Sequence, residues 1–416
     1  MNGPTLTIPA AHGEATTNPL RLGVAGLGRA FTLMIPTWQG DPRVRLVAGF
    51  DPRAAARERF ERDFGGTGQP SLDALCADPD VELIYIATPH QMHADHVCLA
   101  AQHGKHVLVE KPMAIRLNDC DRMVAACEQA GVQLLVGHSH SFDAPIRHAA
   151  GLIASGRHGA VRMIQAQYHT DFLYRPRRPE ELQTGLGGGV VHNQAAHQMD
   201  IVRLLGGGEV ATVRALTGAW DAERPTEGAY AALLTFQGGA FASLLYSGYA
   251  HFDSDEWHGW IGEMGRRKSP DDYGAARRRL ASRESADHEA WLKAEGNFGG
   301  SRYQPPPTTA PYHQHFGHVL VSCDHADLRP TPEGVWVYAN GQREFQPVPV
   351  PAVPRQEVVD ELWAVLREGR PALHSGHWGR ATTEACLALL ESARLGTDVR
   401  LARQVPLPAP PSDPLP

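Results

Sequence analysis

The sequence of 416 residues predicts an α/β protein with two sheets: a doubly wound parallel sheet, then a large, mostly antiparallel open sheet. Three observations support this prediction. From about residue 20 to 140, short apolar runs alternate with amphipathic segments, as in parallel sheets covered by helices on both faces. After residue 140, apolar residues recur at every second position in several segments. The length suits two or three domains, at roughly 150 residues per domain.

The first part of the chain reads as alternating strands and helices. Strands are predicted at RLGVAGLG, VRLVAGF, VELIYIATP, HVLVEKP and QLLVG. Helices are predicted between them at AAARERFERDFG, ADHVCLAAQHGK and NDCDRMVAACEQAGV, the first two ending at Gly65 and Gly104. We therefore assign residues 19–140 to a first domain built on a parallel sheet, after a loose tail at 1–18.

The second part, residues 141–403, is assigned to substrate binding and oligomerisation. Strands are predicted at VRMIQAQYHTDF, VATVRALTGAW, YAALLTFQGG, AFASLLYSGYAHF and GVWVY. Helices are predicted near 144–156, 355–367 and 378–395, and one long helix at VVHNQAAHQMDIVRLLG. Residues 251–312 resist assignment and are treated as an insertion. Residues 404–416 are Pro-rich, which excludes a helix or a central strand there.

The composition excludes several classes of protein. Lys and Arg number 39 against 46 Asp and Glu, for a net charge of −7, which argues against a dedicated nucleic-acid binder. No segment approaches the ~20 apolar residues of a membrane span. The N-terminus lacks the pattern of a secretory signal, and the six cysteines include no C-x-x-C pair. We therefore expect a cytoplasmic protein with reduced thiols that binds neither membranes nor nucleic acid.

A glycine-rich turn after the first strand predicts a dinucleotide site. In GLGRAF, Gly26 permits a tight turn and Gly28 lets the backbone approach a pyrophosphate. The helix that begins at Arg29 and Ala30 offers free N–H groups to the phosphates. Phe31 occupies the third glycine position of the usual pattern, with the small Ala30 beside it. An ordinary tight turn is the alternative interpretation.

The residue that ends the second strand, Asp51, indicates which dinucleotide binds. It follows the glycines by about 20–25 residues, where an acidic residue hydrogen-bonds the adenosine ribose. A carboxylate there repels a 2′-phosphate, so the sequence predicts NAD rather than NADP. Arg53 weakens this preference, because an arginine nearby can bind that phosphate. A turn aspartate before Pro52 is the structural alternative.

Polar residues also follow two further strands. Thr88, Pro89 and His93 lie in ATPHQMH, and Glu110 and Lys111 lie in GKHVLVEKP. Ligands of parallel sheets bind at the carboxyl ends of the strands. We therefore expect these residues to face the nicotinamide end of the cofactor.

These motifs in this order resemble the Gfo/Idh/MocA oxidoreductases, whose hallmark is an E-K-P tripeptide. A second hallmark is a helix opened by G-G-G and carrying D-x-x-x-H. Residues 187–200, GGGVVHNQAAHQMD, match it with Asn193 in place of the aspartate and His197 as the histidine. The resemblance covers residue 20 to about 400, except 251–312, and implies an N-terminal Rossmann domain.

The resemblance implies hydride transfer from a secondary alcohol to the nicotinamide, while the alcohol loses a proton. Lys111 and His197 are the candidates for the base, as a pair or in series, and family members differ in which one acts. Asn193 and His197 are four residues apart, so they share one face of the predicted helix. Asn193 cannot act as a base, and we expect it to hydrogen-bond the substrate hydroxyl. A packed core residue is the alternative for His197.

Arginines before this helix predict an anionic substrate. Arg175 and Arg177 lie in YRPRRP, and arginine binds carboxylates bidentately. The segments GGGVVHNQAAHQMD and YSGYAHFDSDEW resemble phthalate cis-4,5-dihydrodiol dehydrogenases, which implies oxidation of that diol to 4,5-dihydroxyphthalate. The residues predicted to contact the substrate are Arg175, Arg177, His192, Asn193 and His197. A solvated turn between prolines is the alternative for the arginines.

Other interpretations stay open: a sugar or inositol dehydrogenase, a non-catalytic NAD-binding regulator, or a metal site at His138-Ser-His140 and His313-Gln-His315-x-x-His318. Hydride transfer needs no metal, so we predict none. The basic residues of 251–312 are expected on a solvated helix face, or else over the active site or against a second subunit. The exposed face of an open sheet predicts a homodimer or homotetramer.

Overall fold

The computed structural model describes residues 18–283 and 285–408. The predicted tails lie outside these ranges, except for residue 18 and residues 404–408. The predicted fold class is confirmed, with a six-stranded parallel sheet followed by a nine-stranded, mostly antiparallel sheet. None of the helices in the described ranges is long and apolar enough to cross a membrane.

The first sheet is a doubly wound parallel sheet. Its strands are Leu20–Ala25 (β1), Val44–Phe50 (β2), Thr67–Gly68 (β3), Leu83–Ile86 (β4), His106–Val109 (β5) and Leu134–Val136 (β6). The helices are Arg29–Gly40 (α1), Ala54–Phe64 (α2), Leu72–Ala77 (α3), His93–Gln102 (α4) and Leu117–Ala130 (α5). The order β3-β2-β1-β4-β5-β6 reverses direction between β1 and β4, where such sheets open a crevice for a ligand.

The remaining strands are Val161–His169 (β7), Val210–Gly218 (β8), Ala229–Phe236 (β9), Phe241–Ser247 (β10), Ile261–Gly262 (β11), Arg266–Arg267 (β12), His318–Cys323 (β13), Ala326–Thr331 (β14), Gly334–Ala339 (β15), Gln342–Pro347 (β16) and Val399–Arg400 (β17). The second sheet has the order β16-β15-β14-β13-β7-β10-β9-β8-β17. Only β7 and β10 are parallel neighbours in it; the other pairs are antiparallel. β11 and β12 form a separate hairpin.

The later helices are Ala144–Ala154 (α6), Ala196–Gly206 (α7), Ala275–Ala281 (α8), Ala286–Glu295 (α9), Gln356–Leu366 (α10) and Gly376–Leu395 (α11). Short 3₁₀ turns lie at His90–Met92, Phe172–Tyr174, Pro179–Leu182, Thr184–Leu186, Ser254–His258 and Pro270–Asp272. Side chains of α7 and α11 share one core with the second sheet. Those of α10 pack into the core of the first sheet, so the end of the chain joins the two halves.

The structure differs from the predicted long helix over 190–206 in the first half of that segment. Val191–Ala195 form a π-helical turn, and the α-helix begins only at Ala196. Gly189 before it has φ +78°, and a Cβ there would lie 2.0 Å from the Glu227 carboxylate. That buried carboxylate accepts a hydrogen bond from the Val191 N–H at 3.1 Å. It therefore caps the turn from the N-terminal side.

The insertion at 251–312 joins the two halves of the molecule. Its basic side chains Arg267 and Lys268 are exposed, as expected of a solvated face. Farther along, Phe298 is buried against Phe31 of α1, with ring centroids 5.3 Å apart. Phe31, at the third glycine position of the turn, thus packs on the insertion. This segment therefore fixes the cofactor domain relative to the second sheet.

Candidate active site

The glycine turn lies at the switch point between β1 and β4. Gly26 has φ +94°, and a Cβ there would lie 2.7 Å from the carbonyl oxygen of Ala87. A Cβ at Gly28 would meet no atom within 4 Å. Helix α1 begins there with no side-chain cap and no acidic residue in its first turn. Its first N–H groups are therefore available to a phosphate.

Arg29, the first residue of α1, extends into the cleft between the two halves. Although its side chain is exposed, desolvation and then the charges of Arg175 and Arg355 lower the pKa of its guanidinium. The charges of three arginines thus act on one another near the glycine turn. An anionic ligand there would relieve their mutual repulsion.

Asp51 already has a full set of hydrogen-bond donors. Its carboxylate accepts from the Leu27 N–H at 2.9 Å, and from the N–H, Nε and Nη2 of Arg53 at 3.0, 2.9 and 3.2 Å. A carboxylate offers about four acceptor sites. A ribose hydroxyl can therefore bind Asp51 only when the Arg53 side chain moves away.

Two of the strand-end residues have structural roles that the sequence did not predict. His93 is fully buried, and its ring nitrogens face the carbonyl oxygens of Thr88 at 2.9 Å and of Pro112 at 3.2 Å. Glu110 is also buried and accepts a hydrogen bond from the Tyr85 hydroxyl at 2.5 Å. His93 therefore ties two loops together, and a contact of His93 with the cofactor stays a prediction.

Two further strand-end residues, Thr88 and Pro89, remain at the cleft. The Thr88 hydroxyl lies 3.0 Å from Nδ1 of His96, and Pro89 is exposed. Glu110 bonds to Tyr85, but it is adjacent to Lys111, and its charge raises the pKa of that amine. Contacts of Thr88, Pro89 and Glu110 with the cofactor stay predictions.

Lys111, a candidate for the base, lies just after β5. Its Nζ donates a hydrogen bond to the carbonyl oxygen of Asn193 at 2.8 Å, in the π-helical turn. Burial lowers the pKa of Lys111 from its ordinary value, the carboxylates of Glu110 and Glu263 oppose this, and nearby arginines lower it further. A lowered pKa raises the fraction of neutral amine that can accept a proton.

His197 lies near Lys111 as a neutral imidazole. Its ring centroid is 4.7 Å from those of both His140 and Phe316. Burial, and next the charge of Lys111, hold the pKa of His197 well below its ordinary value. Its Nδ1 is buried without a hydrogen-bond partner among the described residues. Such a nitrogen is available to a ligand.

Asn193 does not share the surroundings of His197. Its Nδ2 donates to the carbonyl oxygens of Gly187 and Gly189 at 3.3 and 2.7 Å. These bonds direct the amide to the glycine turn, whereas the His197 ring contacts His140 and Phe316. That the two residues share one helix face stays a prediction. Only the side-chain oxygen of Asn193 is left for a substrate hydroxyl. His192 is buried beside His90, and its contact with substrate stays a prediction.

The three arginines of the YRPRRP loop have different environments. Arg175 is half exposed and lies 3.5 Å from Asp171 and 4.0 Å from Glu263. Arg178 pairs with carboxylates at the surface, the nearer at 3.2 Å. Arg177 is buried, and its guanidinium lies 3.6 Å from the centroid of the Phe172 ring. The sequence alone did not separate these three environments.

Arg177 is an incompletely paired cation. Its Nη2 donates to the Phe172 carbonyl oxygen at 2.6 Å, but its Nε is buried without a partner among the described residues. Burial lowers the pKa of Arg177 to about 10. Its charge also reaches Lys111 and lowers the pKa of that amine. An anion bound here would complete the pairing of the guanidinium.

The sequence analysis missed Glu263, which follows β11 in the insertion. Its carboxylate lies 3.6 Å from Nε2 of His140, and the Nδ1 of that ring lies 2.7 Å from Asp143. Although burial opposes ionisation, His140 and Arg175 lower the pKa of Glu263 to about 2. Only the position of HSHSFD after the strand β6 could have indicated His140 and Asp143.

No metal site is present in residues 18–283 and 285–408. His313 Nε2 and His315 Nε2 lie 3.0 and 2.9 Å from backbone carbonyl oxygens. The Nδ1 of His140 is paired with the Asp143 carboxylate. These histidines therefore have protein partners where the sequence had left a metal site open.

Comparison with known proteins identifies the family. The chain matches the oxidoreductase family with an NAD-binding Rossmann fold over residues 20–138, and the GFO/IDH/MocA C-terminal domain over 146–266. The chain belongs to the Gfo/Idh/MocA oxidoreductase family. A curated family member from Comamonas testosteroni, 1-carboxy-3-chloro-3,4-dihydroxycyclohexa-1,5-diene dehydrogenase, is 49% identical over 377 residues, 90% of this chain and 95% of that protein.

Solved Gfo/Idh/MocA structures share the fold. A structure described as a dehydrogenase of Bordetella bronchiseptica RB50 is 41% identical, with a TM-score of 0.87, over 92% of this chain and 100% of that one. The WlbA dehydrogenase of Bordetella pertussis, in complex with NADH and UDP-GlcNAcA, is 22% identical, with a TM-score of 0.65, over 92% and 99% of the two chains.

NAD is the cofactor of this Gfo/Idh/MocA oxidoreductase, and the uncapped start of α1 beside Gly28 fits its pyrophosphate. When bound, NAD supplies a hydride acceptor. The protein's own groups must bind the alcohol, hold it in place and take its proton, and Lys111 and His197 are available for those tasks.

Proposed function

We propose that this oxidoreductase oxidises a cis-dihydrodiol of an aromatic carboxylate to the catechol, with phthalate 4,5-cis-dihydrodiol as substrate and 4,5-dihydroxyphthalate as product. The proposal rests on the buried, incompletely paired guanidinium of Arg177 near Lys111. A neutral sugar or inositol offers no charge to pair with it. Similarity to a dehydrogenase of a carboxylated cyclohexadiene diol also supports the proposal.

Aromatic side chains near His197 suit a flat, unsaturated ring. Phe316 lies beside His197, and Tyr246 stacks on Phe316 at an interplanar angle of 9° with centroids 6.0 Å apart. Tyr168 contacts the edge of the same ring, with centroids 5.0 Å apart. A cyclohexadiene can bury its apolar faces against such groups, whereas a polyol would lose hydrogen bonds to water there.

The chemistry follows from the protonation states. The carbinol carbon loses a hydride to NAD, and the hydroxyl proton passes to the neutral amine of Lys111. Neutral His197 accepts a hydrogen bond from the diol and orients it. The hydroxy-ketone that results then tautomerises: the neighbouring carbinol carbon loses its C–H proton and the carbonyl oxygen gains one, which gives the aromatic catechol, so the oxidation is strongly favoured.

A monocarboxylated diol is the second candidate. Arg175 and Arg178 lie within 4.0 Å of carboxylates, whereas Arg177 makes no ion pair at that distance among the described residues and interacts with the charge of Glu181 from farther away. The Comamonas relative is named for a diene with one carboxyl group. A phthalate diol would need a further cation for its second carboxylate, and Arg29, whose charge interacts with those of Arg175 and Arg355, is a candidate.

The test is NAD reduction by the purified protein with four substrates: the phthalate diol, a benzoate cis-dihydrodiol, neutral benzene cis-dihydrodiol and myo-inositol. We expect the highest kcat/KM with a carboxylated diol. Fastest turnover of myo-inositol would refute the proposal. The ratio of the two carboxylated diols decides between the two candidates.

Matched arginine variants locate the carboxylate. Arg177→Met should lower kcat/KM for a carboxylated diol by about 10- to 150-fold, because a charge-assisted hydrogen bond is worth roughly 1.5–3 kcal/mol. The neutral diol should be affected little. Arg178→Met is the control, since Arg178 already pairs with Glu180 at the surface. Equal losses in both variants would place the carboxylate elsewhere.

We also propose a homodimer or homotetramer in the cytoplasm. The face of the second sheet opposite α7 and α11 exposes Leu216, Leu233, Phe241 and Leu245 around a groove of about 460 Å³. A second copy covering this face would bury those side chains. Leu233→Glu should then shift the sedimentation of the protein to the monomer. The cytoplasmic assignment is supported by the six free cysteines.

A further inference from the structure

We propose that a buried chain of side chains, Asp200, Ser141, His374 and Glu361, carries the substrate proton from Lys111 to solvent. The proposal rests on the hydride transfer described above, because each oxidation leaves one proton on the base. That proton must leave the closed site before the next turnover.

The chain is continuous at hydrogen-bond distance. Ser141 Oγ lies 2.5 Å from Asp200 Oδ2 and 2.7 Å from His374 Nε2. His374 Nδ1 lies 2.7 Å from Glu361 Oε2. Ser141 and His374 are completely buried, and the two carboxylates are nearly so. Arg147, 3.6 Å from Glu361, is 43% exposed and marks the solvent end.

A small cavity connects Lys111 to this chain. Its volume is about 20 Å³, and Lys111, Ser139 and Asp200 are among the residues that line it. One water molecule needs roughly 10–15 Å³ and two to four polar partners. The hydroxyl of Ser139 is buried without a partner in the described part of the chain, so the cavity is polar. A single water here would bridge the Lys111 amine and the Asp200 carboxylate.

The hydrogen bonds can run in either direction, as proton transfer requires. In one arrangement His374 carries both ring protons and donates to Ser141 and Glu361, while the Ser141 hydroxyl donates to ionised Asp200. In the other, protonated Asp200 donates to Ser141, whose hydroxyl donates to neutral His374. Both arrangements hold the same number of protons. A proton delivered to Asp200 therefore reaches His374 by shifts along two hydrogen bonds, and leaves through Glu361.

Neighbouring groups hold the chain in place. Asp200 Oδ1 accepts from Trp378 Nε1 at 2.5 Å and from the Thr382 hydroxyl at 2.9 Å. The His374 ring stacks on Phe142, with centroids 3.6 Å apart. Arg203 is a buried cation whose charge interacts with Asp200, and one of its hydrogen bonds goes to Thr382 at 2.7 Å. The alternative role for this network is to join the loop after β6, helix α7 and the loop before α11.

Kinetics separate a proton path from a purely structural network. Ser141→Ala interrupts the chain, and Glu361→Gln keeps a hydrogen-bonding side chain that can no longer take the proton. In both variants we expect kcat to fall at least about tenfold. Loss of a general acid or base itself typically costs more, about 10²–10⁴-fold. The first turnover of NADH formation should keep its wild-type rate. The solvent deuterium effect on kcat should rise, and the effect of deuterium at the carbinol carbon should fall.

The control is Ser392→Ala, which removes another fully buried hydroxyl that bonds only to backbone groups. It should leave both isotope effects unchanged. The substrate is whichever alcohol the wild-type protein oxidises fastest, so a wrong substrate assignment does not affect the test. Wild-type kcat and isotope effects in Ser141→Ala and Glu361→Gln would overturn the proton path alone. Normal turnover of Lys111→Ala would overturn it together with the proposed chemistry.

Discussion

Replacing Glu289 tests whether the insertion supports the substrate loop. Glu289 lies in α9 and is only 3% exposed. Its Oε1 accepts from the backbone N–H of Arg177 at 2.7 Å and from Arg224 Nη1 at 2.8 Å. Arg224 is 1% exposed, and its Nε and Nη2 already lack partners among the described residues. Glu289 is therefore the principal carboxylate that neutralises Arg224.

The structure sets the size of the effect. Removing one member of a buried ion pair costs about 3–5 kcal/mol, because the remaining charge stays buried without a partner. Glu289→Ala should lower the free energy of unfolding by about that amount. It should also lower kcat/KM, since the Arg177 backbone loses the bond that holds it. Glu289→Ala combined with Arg224→Met should recover most of the stability, because neither charge is then buried.

The assay is urea unfolding of both single variants, the double variant and a control. Glu180→Ala is the control, since Glu180 belongs to the same loop but pairs with Arg178 at the surface, where an ion pair contributes about 0–1 kcal/mol. Equal losses for Glu289→Ala and Glu180→Ala would contradict the reasoning. So would a double variant no more stable than Glu289→Ala.

Further predictions concern the base, the cofactor and acid stability. Lys111→Met and His197→Gln should each lower kcat by about 10²–10⁴ while NAD still binds in a fluorescence titration. The profile of kcat/KM should rise with pH as Lys111 loses its proton; because Arg355 lowers the pKa of Lys111, Arg355→Met should move this rise to higher pH. Wild-type protein should prefer NAD, and Asp51→Ser should improve kcat/KM with NADP, as steady-state assays would show. Asp143 has a lowered pKa, so its stabilisation is present above about pH 3.9 and lost below; Asp143→Asn should flatten the acid limb of the unfolding free energy.

Local patterns in the sequence were sufficient for the architecture. Most strands of the first sheet are short apolar runs, and β7 to β10 and β15 of the second alternate in polarity, so these could be predicted from periodicity, whereas β13, β14, β16 and β17 were not predicted. Lys111 could be found because a polar residue directly after a buried strand must lie at the ligand edge of the sheet. The family motifs added the glycine turn and the histidine of the G-G-G helix.

Long-range contacts explain what the sequence did not predict. Glu263 and Glu289 lie in a segment without periodicity. Glu289 accepts from the Arg177 N–H, 112 residues away, and Glu263 contacts His140 in the loop after β6. The π-helical turn depends on a carboxylate 36 residues distant, Glu227. The three arginines of the YRPRRP loop have the same side chain, and only tertiary packing decides which one is buried without an ion pair within 4.0 Å.

The insertion links the separate parts of this site through charge. It supplies Glu263 next to His140 and Arg175, and Glu289 against the backbone of Arg177. Glu263 raises the pKa of Lys111, whereas Arg177 lowers it. A carboxylated substrate that neutralises Arg177 would therefore remove one of the charges that lower the pKa of Lys111. Burial must then keep that pKa low enough for the amine to act as a base. Burial in turn isolates the amine from bulk water. A site that obtains its base by desolvation needs a separate route for the proton, and the chain from Asp200 to Glu361 offers one.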